Sequence, residues 1–455
     1  MTLSSVLNSA SSGLDSISQR IATVSQNVAN AGTAGYVRET VSVSSVAASG
    51  QGMGVRTGVA ARSLDERLQA DAMAASATVV GQQTRSDALA SIDAASGTPS
   101  SGFDLPGLLG SLRDGFTRLQ ADPANAAQQR VVVNGADALV RGVNALGKAV
   151  ASARQSAQDA AVADVATANG ALHDIGGLSD RIIAATARGE STADLEDQRD
   201  RSIRVLSDLT GARVLRQANG DALALAGGLV LPLRSATGPF ALAPATLAPD
   251  TPATAVPRLS LDGVPVIGQP IGGRIGANFA LRDGTLPDLQ AGLDQFAQSL
   301  AARFDLQGLT LFAGPAGTVP ALPTAGFAQD VRVNAAVIAA PTMLRDGAGP
   351  AGAAGTTALI DRVLDRVLGS AAGSLVVTAS ALVSRNAVLA ADASGQLATG
   401  QAVQSSLDKK LAAGTGVSLD TETADLVRLQ NAYAANAKVI TAAQAMWTQL
   451  LDSVR

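Results

Sequence analysis

The sequence predicts a mainly α, nested multidomain fold with a small β-rich insertion, and three observations carry that prediction. Both ends of the chain hold apolar residues at heptad spacing. Residues 62–211 and 272–305 repeat apolar side chains at helical intervals. Only 212–270 breaks this texture, alternating apolar with polar residues and then turning rich in Pro and Gly. The expected layout has three parts. Residues 1–35 and 416–455 form a terminal assembly domain in which the N- and C-terminal helices pair as an α-helical coiled coil. Residues 36–211 and 271–415 form a long-helix bundle body with an extended arm near 36–60. Residues 212–270 form a β insertion distal to the termini.

At the N-terminus, Leu3, Leu7, Ala10, Leu14, Ile17, Ile21, Val24 and Val28 follow one helix face in steps of three and four. The opposite face is Ser- and Gln-rich, with only Asp15 and Arg20 charged, where a surface helix ordinarily carries many charges. Such a helix suits a site surrounded by similar helices, because charges there would be costly to desolvate. At the C-terminus, Leu419, Leu426, Tyr433, Ile440, Trp447 and Val454 recur every seven residues. Leu429, Ala443 and Leu450 widen the stripe, and Ser418 and Asp420 precede the helix as caps. The two seams are expected to pack on each other. Pattern alone leaves two readings open: an ordinary intramolecular helix pair, or ends that order only when neighbouring subunits cover their remaining faces.

Between the ends, Val37, Val41 and Val43 alternate after Gly35, as do Val55, Thr57 and Val59 after the glycines at 50, 52 and 54. Those glycines precede a strand rather than linking strand to helix, which disfavours a nucleotide loop. Helices are expected over 64–94, 107–121 and 123–151 and onward to 183, with Pro123 at a first helical position. The stretch STADLEDQRDRSIRVLSDLTG reads as a helix opened by a Ser191/Asp194 cap and closed by Gly211. Its acids and arginines, with Asp197/Arg201 and Asp200/Arg204 as i,i+4 pairs, read as a solvated face. Asn219-Gly220 marks a hairpin. Helix returns over 272–305, where Leu289, Leu293, Phe296, Leu300 and Phe304 share a face. After a loop-rich stretch with a short extended piece at 331–333, helices follow near 357–368 and 374–404.

Composition narrows the chemistry. Of 455 residues 47% are hydrophobic but only 2% aromatic, so the core is Ala-, Val- and Leu-rich and poor in the rings that line ligand pockets. A net charge of −4 without a basic run disfavours nucleic acid. The absence of Cys removes thiol chemistry, and the single His173 cannot build a multi-histidine metal site. His173 beside Asp174 lacks a placed nucleophile and reads as a surface or structural histidine. No catalytic motif, cofactor loop or metal constellation is expected. The start lacks a basic n-region, and the best apolar run, 222–233, falls short of the roughly 20 residues of a membrane helix. Neither a cleavable signal peptide nor membrane insertion is expected.

Two end motifs carry a resemblance. ANAGTAGYVRETV resembles the N-terminal signature of flagellar rod, hook and hook-associated axial proteins, N-x-x-T-x-G-[YF], through Asn30, Thr33, Gly35 and Tyr36. Ala34 stands where that family usually has Pro. The last forty residues, with Asp420, Gln430, Tyr433, Ala437, Lys438, Val439 and Ile440, are similar to the family's C-terminal helix. Internally, DLEDQRDRSIRVLSDLTGARV, GGRIGANFALRDGTLPDLQAGLDQFAQSLAARFD and VRVNAAVIAAPTMLRDG resemble segments of the flagellar hook-associated protein 1 family. Arg38 within GYVRETV fits the same family better than the hook version. The likeness does not extend to 212–270 or 309–328.

The resemblance implies a non-enzymatic structural protein of the bacterial flagellum at the hook–filament junction. It would self-assemble through its terminal helices as a ring of eleven subunits, between hook protein and a second junction protein. It also implies passage from the cytoplasm through the flagellar type III export apparatus to the outside, with an export chaperone bound at the C-terminal helix. The alternative within the class is a hook or distal-rod protein, which would form a longer polymer. A secreted coiled-coil binding protein and a peptidoglycan-cleaving enzyme are the readings from other classes, and the enzyme would need paired acids in a cleft.

Overall fold

The computed structural model describes residues 3–33, 35–48, 51–97, 102–235, 237–252, 254–266, 271–322, 324–349, 352–369 and 373–452. Val454 of the C-terminal heptad and Ala34 of the end motif lie outside these residues. Helix α1 (Leu3–Asn30) opens the chain. Residues 39–62 then fold back on themselves as an antiparallel hairpin, β1 (Glu39–Ala48) and β2 (Gln51–Arg62), with Glu39 opposite Arg62. Gly54, at φ 109°, passes so close to α1 that a Cβ would collide with Ser12 Oγ. The next amide uses that proximity: Val55 N–H donates to Ser12 Oγ at 3.2 Å.

The body begins with α2 (Glu66–Ser96), whose first turn is capped by the Asp65 carboxylate accepting from the Arg67 and Leu68 amides. Next come α3 (Leu105–Ala121) and α4 (Ala126–Arg188). Helix α4 has 63 residues and is therefore about 95 Å long. Asn125, not Pro123, caps it, and the left-handed Gly189 ends it. Helix α5 (Ala193–Thr210) starts at Thr192 without a side-chain cap. Gly211, left-handed at φ 69°, closes it.

The insertion holds two small antiparallel sheets: β3 (Arg213–Arg216), β4 (Ala222–Ala226) and β5 (Leu229–Leu231), then β6 (Phe240–Ala241), β7 (Ser260–Leu261) and β8 (Val264–Pro265). Helical chain resumes as α6 (Gly273–Ala280), one π-helical turn (Leu281–Thr285) and α7 (Leu286–Asp305). In the widened turn the Arg282 carbonyl accepts from Arg154 Nε at 3.0 Å, tying α4 to this run. Strands β9 (Phe312–Ala313) and β10 (Arg332–Val333) pair around α8 (Phe327–Asp330). Helices α9 (Ala335–Ala339), α10 (Met343–Asp346), α11 (Ala358–Arg366), α12 (Leu375–Thr415) and α13 (Leu419–Asp452) complete the chain.

Three cores follow from the apolar patterning. The largest joins α3, the first half of α4, α7 and the start of α12 around Phe116, Phe304 and Phe312, whose rings lie 6.1 and 5.1 Å apart in sequence. The second joins the later half of α4 with α5, α6 and the β segments. The smallest, Ile17, Val24 and Leu429, lies between α1 and α13.

The β insertion does not lie furthest from the termini, contrary to expectation. It covers the half of α4 that leads back toward the hairpin, and the helical first core forms the remote end. The reason is a set of amide partners along α4. Between β6 and β7 the Pro-rich chain offers few strand bonds, so helix side chains supply them. Asn169 both donates to the Phe240 carbonyl and accepts from its N–H, at 2.8 and 3.0 Å. Gln158 donates to the Ala243 carbonyl, and Gln155 donates to Ala245 and accepts from Leu247. Arg154 reaches the Thr251 carbonyl at 2.9 Å.

Candidate assembly interface and the polar hub at its root

Helices α1 and α13 run antiparallel: Asn27 meets Glu422, and Gly13 faces the Asn436 amide. On α1 the expected seam points inward. Ile17 and Val24 are buried, Leu7, Leu14 and Ile21 half-buried, and Val28 exposed at the edge; the Leu3 side chain lies outside the described residues. Helix α13 presents a different line from the one expected. Its buried residues are Glu422, Leu429 and Ala443, with Asn436 between them at the same seven-residue spacing.

Leu426 and Ile440 are half-buried beside that line, whereas Leu419, Tyr433 and Trp447 face outward, 52%, 43% and 50% exposed. The packing of these three against α1 is therefore corrected. Glu422 draws the helix round, since its carboxylate accepts from Asn27 Nδ2 at 3.3 Å and Arg38 Nε at 2.6 Å. With Leu450, Val427, Met446 and Leu451 also exposed, α13 carries an apolar face that α1 does not cover. The stretch Leu375–Asp452 also contains a window long and apolar enough, by length and composition alone, to cross a bilayer. The start of that stretch packs into the first core, against α3 and α7.

The end motif builds the bend that joins α1 to the hairpin. Thr33 donates both its N–H, to the Asn30 carbonyl at 2.9 Å, and its hydroxyl, to Asn30 Oδ1 at 3.3 Å. Tyr36 N–H returns to the Thr33 carbonyl. Gly35, at φ 80°, lies against the Arg201 side chain, a backbone geometry that favours glycine. Tyr36 then donates its hydroxyl to Asn27 Oδ1 at 2.9 Å, and the Glu39 amide donates to the same oxygen. Burial and the carboxylates of Glu39 and Asp197 hold the Tyr36 phenol well above its ordinary range. Arg38 N–H donates to the Thr415 carbonyl at the end of α12, so one bend touches α1, α12, α13 and the hairpin.

Beside this bend lies a second polar cluster. Arg62 Nε donates to Glu196 at 2.7 Å, and its Nη1 donates to Asp197 at 2.9 Å and Asp200 at 2.7 Å. Arg216 from β3 joins Asp200 and Gln69, and the Val37 amide donates to Asp197 at 3.2 Å. The acid-and-arginine stretch of α5 is therefore not a solvated face. Asp197, Arg199 and Asp200 are buried, and the expected helix pairs are replaced by bonds to Arg62 and Arg216. Burial raises the Asp197 carboxyl. For Asp200 burial acts the same way but Arg62 and Arg216 outweigh it, so its carboxyl sits below the usual range.

Sequence reasoning missed Asn27, Glu422, Arg62 and Arg216. The available signal was the charge at Glu422, seven residues before Leu429 in an otherwise neutral seam. His173 and Asp174 are exposed in an open polar groove with Arg181, Gln198, Arg201 and Ser202.

The chain is a long helical body with α1 and α13 paired and latched where they meet the hairpin and α5. The family described as flagellar hook-associated protein FlgK helical domain matches residues 89–317, and the flagellar basal body rod FlgEFG C-terminal family matches 412–453. Flagellar hook-associated protein 1 of Salmonella typhimurium is 28% identical over 317 residues, covering 67% of this chain and 56% of that protein. Its Escherichia coli K12 counterpart is 25% identical, covering 67% and 57%. A solved flagellar hook junction protein FlgK from Burkholderia pseudomallei aligns with TM-score 0.44 at 23% identity, over 55% of this chain and 45% of that one. The chain belongs to the flagellar hook-associated protein FlgK family. It spans just over half the length of the curated relatives it matches.

Proposed function

We propose that this chain is a structural subunit of the hook–filament junction, packing side by side with its own copies through the terminal helices. The apolar outer face of α13 carries the reading: Leu419, Tyr433, Trp447 and Leu450 are about half exposed on a helix whose Glu422 is buried. A helix arranged this way gains by burying that face among neighbours. Leu7, Leu14 and Ile21 on α1 supply the complementary half-buried edge. A ring of eleven subunits seated on the hook protein and followed by a second junction protein accords with family membership. So do export through the type III apparatus to the cell exterior and a cytoplasmic chaperone at α13. The bend at Asn30, Thr33, Gly35, Tyr36 and Arg38 then sets how the paired ends leave the body.

The test is Tyr433→Ser combined with Trp447→Ser. Both side chains project outward, so the melting temperature of the isolated chain should hold, within about 0.5 kcal/mol per site. Binding to purified hook ends, seen by electron microscopy, should be lost. Variant chains that still decorate hook ends would overturn the reading. A hook or distal-rod role is the second reading, favoured by the rod-type match at 412–453. It would show as hooks missing altogether in a deletion strain, rather than hooks without filaments.

A further inference from the structure

The second cluster is short of cations. Glu39 and Arg62 face each other across the hairpin. Yet the bonds Arg62 makes go to Glu196, Asp197 and Asp200 on α5. Glu39 is buried, and its backbone is fixed from both sides by the Asn27 amide at 2.9 and 3.0 Å. Among the described residues no ion pair reaches its carboxylate.

The neighbours do not make up the deficit. From α5, Asp194 and Asp197 add negative charge close to Glu39. Arg199 turns away, donating to the Gly220 carbonyl and Ser179, and Arg201 lies exposed under Gly35. From β3, Arg216 is committed to Asp200, Gln69 and Glu66. From α13, Glu422 and Asp425 engage Arg38, and Tyr36 contributes a neutral phenol. Carboxylates thus outnumber guanidinium groups where the hairpin and terminal pair meet α5.

We propose that Glu39 makes this junction an acid-tightened latch, in which the hairpin and the paired ends seat on α5 more firmly in mildly acidic solution than in alkaline solution. Seating places a carboxylate with no cation of its own beside other carboxylates. Burial, then Asp194 and Asp197, hold the Glu39 carboxyl above the usual range, outweighing the opposing pull of Arg62 across the hairpin, and burial likewise raises Asp197. A carboxyl raised in the seated state takes up its proton more readily there than when released. Seating therefore gains as pH falls toward those raised values and is weakest well above them. Asp200 has the opposite sign, so the latch loosens again in strong acid. This inference rests on the junction geometry and not on the flagellar role.

The test is amide hydrogen exchange of residues 39–48 and 51–62 in the full chain, corrected for intrinsic rates at pH 5.5 and 8.5, with α4 as internal reference. Protection of the hairpin should be higher at pH 5.5 than at pH 8.5. Glu39→Gln should raise protection at pH 8.5 toward the acid level and shrink the difference between the two pH values, leaving the smaller part that Asp197 supplies. Glu190→Gln, which alters an exposed pair with Arg188, should keep the wild-type difference. Equal hairpin protection at both pH values in the wild type, or an undiminished pH difference in Glu39→Gln, would overturn the proposal. Should Glu39→Gln not fold, the wild-type profile still decides.

Discussion

Replacing Glu422 with Ala tests whether the paired ends are held by their root or by their apolar seam. Glu422 is fully buried and accepts from Arg38 at 2.6 Å and Asn27 at 3.3 Å. Breaking a buried pair commonly costs about 3–5 kcal/mol because a charge is stranded. Here the Arg38 side chain keeps 28% exposure and has Asp425 at 3.8 Å. The loss should therefore approach that of a charge-assisted hydrogen bond, about 2–3 kcal/mol. The large buried apolar side chains of the seam it supports, among the described residues, are Ile17, Val24 and Leu429, each worth about 1.5–3 kcal/mol. The substitution should remove roughly a fifth to two fifths of what holds α1 to α13. Hydrogen exchange in 3–30 and 419–452 should accelerate roughly thirty- to hundred-fold while α4 is unchanged. Unchanged exchange at both ends would show that the seam alone suffices and that the root is ornamental.

Other outcomes follow from the same geometry. Gly176→Ala would drive a Cβ into the Leu233 carbonyl and should destabilise the second core by about 1–3 kcal/mol. Gly177→Ala, with open space beside it, should be neutral or stabilising by up to about 1 kcal/mol; the two melting temperatures check the contrast. Phe304→Ala removes the middle ring of the Phe116–Phe304–Phe312 set and should cost about 3–5 kcal/mol in denaturant unfolding. Asp200, with its carboxyl held below 3.8, contributes stability that is present at neutral pH and lost as pH falls through its folded value. Asp200→Asn should therefore lower stability at pH 7 and flatten the loss on acidification, read from melting temperature against pH.

Helical periodicity made much of the architecture legible, because long apolar stripes survive whatever tertiary contacts they meet. The face Leu289, Leu293, Phe296, Leu300 and Phe304 became a buried surface, and Ile17 and Val24 of the α1 heptad are buried. What escaped were polar residues doing an interior job. Glu422 and Asn436 occupy seam positions on α13, so counting apolar residues alone put the seam three residues out of register, about 60° round the helix. Asp197 and Asp200 read as solvated because their partners, Arg62 and Arg216, arrive from elements far along the chain. The helix amides that hold the segment after β6 were invisible for the same reason: Gln155, Gln158 and Asn169 resemble ordinary surface residues until the loop is laid across them.

That borrowed bonding sets an order of events during folding. A stretch that takes its partners from α4, some 71 to 97 residues earlier, has no scaffold until the helix exists. The helix in turn leaves apolar positions bare until the stretch arrives. Residues 240–251 therefore depend on α4 for their backbone partners, and without them the apolar positions of α4 that meet Phe240 and Leu242 would lie uncovered.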